Sequence, residues 1–434
     1  MDQEAKTSFS FASIAISFFV LIVLPLTITG VIISKGVIKV GEEATQANLR
    51  ILDDNQKLSI AGRAQNVADA VAQFLTDQEK DIRIASILPR NEQSYTMFLK
   101  SNTRGVVQSS NVGIVKIPVP VYREIAFLDK SGKEALKVTV DGVVPKDQLK
   151  DVFNPEGGEF GNEDYFLKAK QLVPGEFYMG PVIGYHITKQ EFEAGKQFGG
   201  IIRMAAPIFD STGFAGVVEL TLNFKHLMEF TDHIVPTEPG MIFAKVNPDD
   251  ANYTFMVGRD GSYLAHPAQY YIPGLGPDKK PVPTIDEKNY NELKKNGTGA
   301  MNVLSLGFLD ENLPKIHALA SAGKSGSFTY TIDNRRIFLT YAHIPYYGSV
   351  YGKPEGFGWV GMIVDIDKYH KLSQEKVKDI QQKVERWQKS SIVVVFVSLI
   401  LLFVIALILA RGLYRSIQSV QPGSGVKHLE DDED

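Results

Sequence analysis

Two uncharged apolar runs near the ends of this chain constrain its architecture more than any other feature. From Thr7 to Ser34 no residue carries a charge, and none does from Ser390 to Ala410. A helix needs about 20 apolar residues to cross the hydrocarbon core of a bilayer. The first run is too long for the apolar core of a signal peptide, and no small-x-small cleavage site follows it. Both runs read as retained transmembrane helices, with Pro25 a kink point inside the first. Arg411 and Arg415 directly follow the second run, so the positive-inside tendency puts both termini in the cytoplasm. The expected protein is a two-pass inner-membrane protein with residues 35–389 in the periplasm.

The 434 residues carry a formal net charge of −4, which gives no electrostatic reason to expect a nucleic-acid partner. There is no cysteine, which excludes disulfides, thiolate metal sites and cysteine nucleophiles. An extracytoplasmic domain without cysteine fits a bacterial or archaeal protein better than a small secreted eukaryotic module, which usually needs disulfides.

Residues 41–88 carry a helical pattern. Ile60, Ala64, Val67, Val71 and Phe74 repeat at 4-3-4-3 spacing, and Pro89 ends the run. This stalk either packs on its own domain or also pairs with a second copy. The stretch 122–140 reads as a hairpin around "DKSGK", and 199–224 as a second hairpin turning at Asp210–Gly213. Residues 162–172 have helical character and 175–188 are strand-like. After the linker "VPTEPG" the order repeats: a hairpin-like unit at 253–267, a short helix near 287–295, then strands in 325–347 and 357–367. A last helix over 366–388 has Val377, Ile380, Val384 and Trp387 at 3-4-3 spacing and runs on into the second membrane segment.

A stalk helix and two PAS-like modules between two membrane helices resemble the double Cache sensor domains of prokaryotic chemoreceptors and sensor histidine kinases. The resemblance covers roughly residues 36–412. It rests on the order of "REIAFLDKSGKE", "EDYFLKA", "GEFYMGPV", "IIRMAAPIFDSTGFAGVVELTLNF" and "VGRDGSYLAHP". It implies an α+β fold divided as follows: cytoplasmic residues 1–6, a first membrane helix 7–34, a stalk 35–89 and a membrane-distal module 90–240. A membrane-proximal module 241–365, a connecting helix 366–389, a second membrane helix 390–410 and a short tail 411–434 complete it. It also implies a small-molecule site in the distal module and an often empty proximal one. In the amino-acid-binding variant of the family, Tyr165 and Phe166 match the aromatic pair, Glu163 stands where that pattern has arginine, and Glu219 stands about where it has aspartate. The missing arginine argues against an amino acid bound in the usual way.

The candidate ligand residues are Tyr165, Phe166, Tyr178, Tyr185, Arg203 and Glu219. Arg203 lies inside an apolar strand, where a charge is costly unless paired or exposed. It either grips a ligand carboxylate in bidentate fashion, or lies on an open face or pairs with a structural acid. The four aromatic residues either line a pocket or belong to ordinary core. Glu219 either binds an amine or lies idle on the surface.

The sequence shows no HExxH, G-x-S-x-G or P-loop pattern, and "SAGKSGS" lacks the Walker spacing. Glu229, Asp232 and His233 stand close together at the module boundary, as a metal or pH site or as a hinge cluster. No enzyme activity, metal or cofactor is expected. The expected partners are a small organic acid, amine or amino acid, the membrane, and a second copy of the chain. Residues 411–420 resemble the entry to a HAMP linker, and the acidic end that follows reads as disordered. No signalling module stands in this chain, so output passes through a cytoplasmic partner or a removed module. The expected role is a membrane-anchored extracytoplasmic sensor. The alternative is a structural or partner-binding membrane protein built on the same fold.

Overall fold

The structure, a computed structural model, describes residues 11–110, 113–238, 240, 246–332 and 334–420. Residues 1–6, expected in the cytoplasm, and the acidic end of the tail lie outside the described residues. The chain divides into two units, Met1–Asp54 with Lys371–Asp434, and Asn55–His370.

The first unit is helical. Phe11–Phe18 is followed by a π turn, Phe19–Val23, and then by the start of a helix that runs over Leu24–Ile87. The π turn directly precedes Pro25, which has no N–H to close the ladder, and wide turns of this kind absorb such a loss. The C-terminal helix runs over Ile366–Val420 without a break. Ala15–Ile33 and Ile392–Ser416 are long and apolar enough to cross a membrane. Their large side chains, among them Leu21, Ile32, Phe396 and Ile408, are exposed, as a lipid-facing surface requires. The side chains of Val377, Ile380, Val384 and Trp387 lie outside the described set.

Among the described residues the second unit holds thirteen strands. A two-stranded ribbon, β1 (Thr103–Ser110) and β2 (Gly113–Pro120), stands apart from the sheets. The first sheet contains β3 (Tyr122–Asp129), β4 (Glu134–Thr139), β5 (Gly142–Val143), β6 (Tyr178–Ile183), β7 (Ile201–Asp210) and β8 (Gly213–Asn223). The second contains β9 (Asn252–Gly258), β10 (Tyr263–Ala265), β11 (Gly326–Ile332), β12 (Arg335–Ile344) and β13 (Gly358–Asp365). The orders are β5-β4-β3-β8-β7-β6 and β10-β9-β13-β12-β11, all antiparallel. Counted within each module and leaving aside the short edge strand β5, both sheets have the same permutation, 2-1-5-4-3.

The repeat extends to single residues. Gly216 within β8 and Gly358 at the start of β13, the fifth strands of their modules, lie at φ +152° and +147°. A Cβ at Gly216 would fall 2.1 Å from the Leu128 carbonyl oxygen, and one at Gly358 would fall 2.1 Å from that of Val257. Each carbonyl belongs to the first strand of its module, so both sheets use the same close backbone approach, which only glycine permits.

The stalk helix buries Ile60, Ala64, Ala68, Val71, Leu75, Ile82 and Ala85. The expected seam is thus modified. Val67 is only partly buried, and the stripe drifts to Ala68 and Leu75, as a 3.6-residue period requires. These residues share one apolar core with Ile125, Leu220 and Leu222 of the first sheet and Phe338, Val360 and Met362 of the second. The stalk therefore packs on its own domain. Tyr122 adds a polar tie: its hydroxyl meets Asp81 at 2.6 Å and also Gln78, both on the stalk. The opposite face of each sheet has its own core. Tyr165, Phe166 and Ala169 of the short helix Tyr165–Lys170 cover the first, and Ile316 and Ala320 of Asn312–Ser321 help cover the second.

Candidate functional site

The face of the first sheet turned from the stalk carries an unusual charge pattern, and strand register explains it. Arg203 on β7 stands opposite Thr221 on β8, and Thr221 stands opposite Glu124 on β3. One rung further, Ala205 faces Glu219, Glu219 faces Ala126, and Ala126 faces Lys137. Side chains two apart on a strand share a face. Two rungs therefore bring Arg203, Thr221, Glu124, Glu219 and Lys137 to one patch, and the two alanines leave room for the charged heads. Glu163, just before the helix Tyr165–Lys170, closes the patch from above.

Arg203 is 6 % exposed and is held entirely by the chain's own oxygens. Its Nε donates to Glu163 at 2.7 Å, and its Nη1 lies 3.2 Å from Glu219 and in direct contact with Glu124 and Thr221. Glu159 lies 3.6 Å from Nη2. The Tyr165 ring centre is 5.6 Å from the guanidinium carbon. Lys137 bridges Glu124 and Glu134, each at 3.1 Å. Glu163 also accepts the Phe160 N–H at 2.8 Å, and Glu134 accepts the Lys150 N–H at 2.9 Å.

Glu124, Glu134, Glu163 and Glu219 are buried carboxyls, and Arg203 and Lys137 are the cations among them. Four acids against two bases leave the fully ionised cluster at −2. Burial pushes the Glu219 carboxyl up to about 7; Arg203 pulls it down and Glu124 pushes it further up. Glu124 moves the other way: burial opposes its charge, but Arg203 and Lys137 outweigh burial and hold it below the usual carboxylate range. Burial opposes the Arg203 charge too, yet Glu219 and Glu124 hold its pKa well above the ordinary value. A proton on Glu219 near neutrality relieves part of the excess charge.

The structure brings five of the six sequence candidates to this face. Arg203 and Glu219 form the centre, and Tyr165 stacks on Arg203. Tyr178 lies in the same apolar cluster as Tyr165, with its hydroxyl 3.3 Å from Asp164. Phe166 is a core residue, packed between Phe153 and Phe214 at ring separations of 6.4 and 6.5 Å. Tyr185 is not in the cluster. It is 40 % exposed beyond the end of β6, where it stacks on Phe160 at 5.3 Å. Of the readings for Arg203, pairing with the chain's own acids is seen at Nε and Nη1, while Nη2 has only Glu159 at 3.6 Å. Glu124, Glu134, Lys137, Glu163 and Thr221 were not among the sequence candidates. The alternation in "REIAF" and "VVELTL" carried a signal for Glu124 and Thr221, since each breaks an apolar strand at a face position.

At the module boundary, Glu229 accepts the Val107 N–H at 2.9 Å and lies 3.5 Å from His233, while Asp232 receives Gln269 at 3.4 Å. These bonds tie the end of the first module to β1 and to the second module. Among the described residues no group of three or more His, Asp or Glu side chains is arranged to hold a metal ion.

No protein-family model matches the sequence, and no curated protein matches it. Solved structures similar to this chain include the ligand-binding domain of the Pseudomonas fluorescens chemoreceptor CtaA in complex with L-isoleucine. It has 15 % identity and a TM-score of 0.39, over 74 % of this chain and 98 % of that one. The ligand-binding domain of the Pseudomonas aeruginosa PAO1 chemoreceptor PctC, in complex with GABA, has 13 % identity and a TM-score of 0.38, over 71 % and 99 %. That of PctB from the same organism, in complex with L-Arg, has 14 % identity and a TM-score of 0.36, over 71 % and 94 %.

Proposed function

We propose that this chain is a membrane-anchored extracytoplasmic sensor that takes a small ammonium-bearing molecule at the carboxylate cluster of the first module. The observation that carries this reading is the cluster's charge: four buried carboxyls against Arg203 and Lys137. A third cation completes such a site, and a further anion does not. Of the three expected ligand classes, the amine therefore fits. An ammonium group entering beside Glu219 replaces the proton held there and recovers the charge pairing that the cluster lacks alone.

Binding at this face bears on the helix Tyr165–Lys170 and the loop before it, which carry Glu163 and Tyr165. The first sheet shares its opposite face with the stalk, and the second sheet leads directly from β13 into the helix Ile366–Val420. A ligand with unequal affinity for two arrangements of these elements shifts their balance, and a stiff helix carries the displacement inward. A second copy and a cytoplasmic output partner belong to this reading.

The test is a thermal-unfolding screen of the full chain in detergent micelles against matched pairs of amines and carboxylic acids. Stabilisation by amines, lost in Glu219→Gln, supports the reading; stabilisation by acids alone defeats it. One observation favours the alternative, a structural membrane protein on the same fold: the Nε and Nη1 of Arg203 are already engaged by the chain's own oxygens. A silent screen together with a stoichiometric co-purifying protein would favour that alternative.

A further inference from the structure

One cavity lies away from the carboxylate cluster. It has a volume of about 500 Å³ and opens between the stalk helix, the β1–β2 ribbon and the turn after β8. Its floor is apolar, built from Val67 and Ala70 of the stalk and Phe230 and Ile234 of the turn. Its rim is basic. Arg104 on β1 caps two neighbouring rings whose centres lie 5.6 Å apart, with its guanidinium carbon 5.0 Å from the Phe74 centre and 5.2 Å from that of Phe230. Lys116 on β2 lies across Gly105, where a Cβ would fall 2.5 Å from Lys116 Cε. Neither cation makes a hydrogen bond or ion pair with a described residue. The acid in the wall, Glu229, is already engaged by the Val107 N–H and by His233. His226 spends its Nε2 proton on the Pro120 carbonyl at 3.0 Å, and burial keeps its ring neutral by lowering its pKa.

We propose that this cavity is a second ligand site, for an amphipathic organic anion with an aryl or alkyl body and one carboxylate. The volume is in the range of small-molecule sites, which are mostly apolar with a few fixed polar groups. The apolar body lies on Val67, Ala70, Phe230 and Ile234. The carboxylate meets Arg104, which already packs on the two phenylalanine rings, and Lys116 adds a second charge. The site prefers the opposite charge from the cluster on the first sheet, and it stands independently of that reading. Its occupant bridges the stalk to a ribbon that belongs to neither sheet.

The test uses the full chain in lipid nanodiscs and calorimetric titration with 4-phenylbutyrate, with 4-phenylbutylamine as the charge-reversed control. The acid is expected to bind saturably and the amine at least tenfold more weakly. Arg104→Gln and Lys116→Gln are each expected to weaken the acid about tenfold or more, the loss of one charge-assisted contact. Ala70→Trp, which fills the cavity from the stalk, is expected to abolish binding while the circular dichroism stays unchanged. Glu219→Gln should leave acid binding intact, which separates this result from the fate of the amine site. No saturable binding, equal affinity for acid and amine, or full binding in Ala70→Trp would overturn the proposal. The chain has no native cysteine, so Asn66→Cys gives a clean check. Efficient disulfide formation between copies would identify the groove as an interface between two chains and would also overturn it.

Discussion

Replacing Glu219 by glutamine should change how stability depends on pH. Glu219 is 1 % exposed, and its carboxyl is held up to about 7 against an ordinary value of 4.5. Between those two values the folded chain keeps a proton that the unfolded chain has lost. Stability therefore falls as pH rises through this window and changes no further, on this group's account, above about 7. At about 1.4 kcal/mol per pH unit, the parent loses about 3 kcal/mol across the window. Glutamine has the shape of the protonated acid and has no proton to lose. Relative to the parent, Glu219→Gln should gain about 3 kcal/mol between pH 4.5 and pH 8, while titrating groups outside the cluster cancel in the comparison. For a folded unit of roughly 300 residues this is about 5 °C in melting temperature. Tryptophan-fluorescence melts of both proteins in the same detergent, at half-unit pH steps, measure it directly. Parallel curves for parent and variant would refute the claim that the cluster holds excess negative charge.

Arg203→Met removes the cation that holds Glu124, Glu163 and Glu219 together, and should cost about 3–5 kcal/mol at pH 8. The loss should shrink at pH 5, where protonation of the carboxyls relieves their repulsion, and melts at the two pH values check it. Leu75→Ala opens a cavity where the stalk meets both sheets and should cost about 2–5 kcal/mol by the same melts. Gly358→Ala forces a Cβ against the Val257 carbonyl and should destabilise the second module, read as earlier local exchange of β9 and β13 amides. For topology, Ser131→Cys should react with a membrane-impermeant maleimide on intact cells, and Gly412→Cys only after permeabilisation.

Much of the fold was legible because its signals are local. The turns at Asp129–Lys133 and Asp210–Gly213 are set by Asp, Ser and Gly within four or five residues. Asp129 accepts the Ser131 N–H, and Asp210 accepts the Thr212 N–H. Each hairpin's register follows from its own turn. The repeat of element order was also readable, since each module repeats a hairpin, a helix and a final pair of strands. The ribbon went unread, although "VVQSSNVGIVKI" alternates enough to suggest paired strands around Asn111–Gly113. The site was only half legible. Arg203 announces itself as a charge in an apolar strand, but its partners Glu163, Glu219 and Glu124 lie 40, 16 and 79 residues away in sequence. Only the pairing of β3 with β8 and of β8 with β7 puts Glu124 and Glu219 on the face of Arg203, and Glu163 reaches it from the loop before the helix Tyr165–Lys170. Tyr185 misled for the opposite reason: an aromatic in a strand-like stretch has no local mark showing that the strand ends at Ile183.

The most direct measurement of the central claim is the proton count on amine binding. The amine that stabilises the full chain most is titrated calorimetrically at pH 6.5, in two buffers of different ionisation enthalpy. If an ammonium group takes the place of the proton on Glu219, binding releases a substantial fraction of one proton, and the release vanishes in Glu219→Gln. Proton uptake, or heats that do not depend on the buffer, would contradict the account.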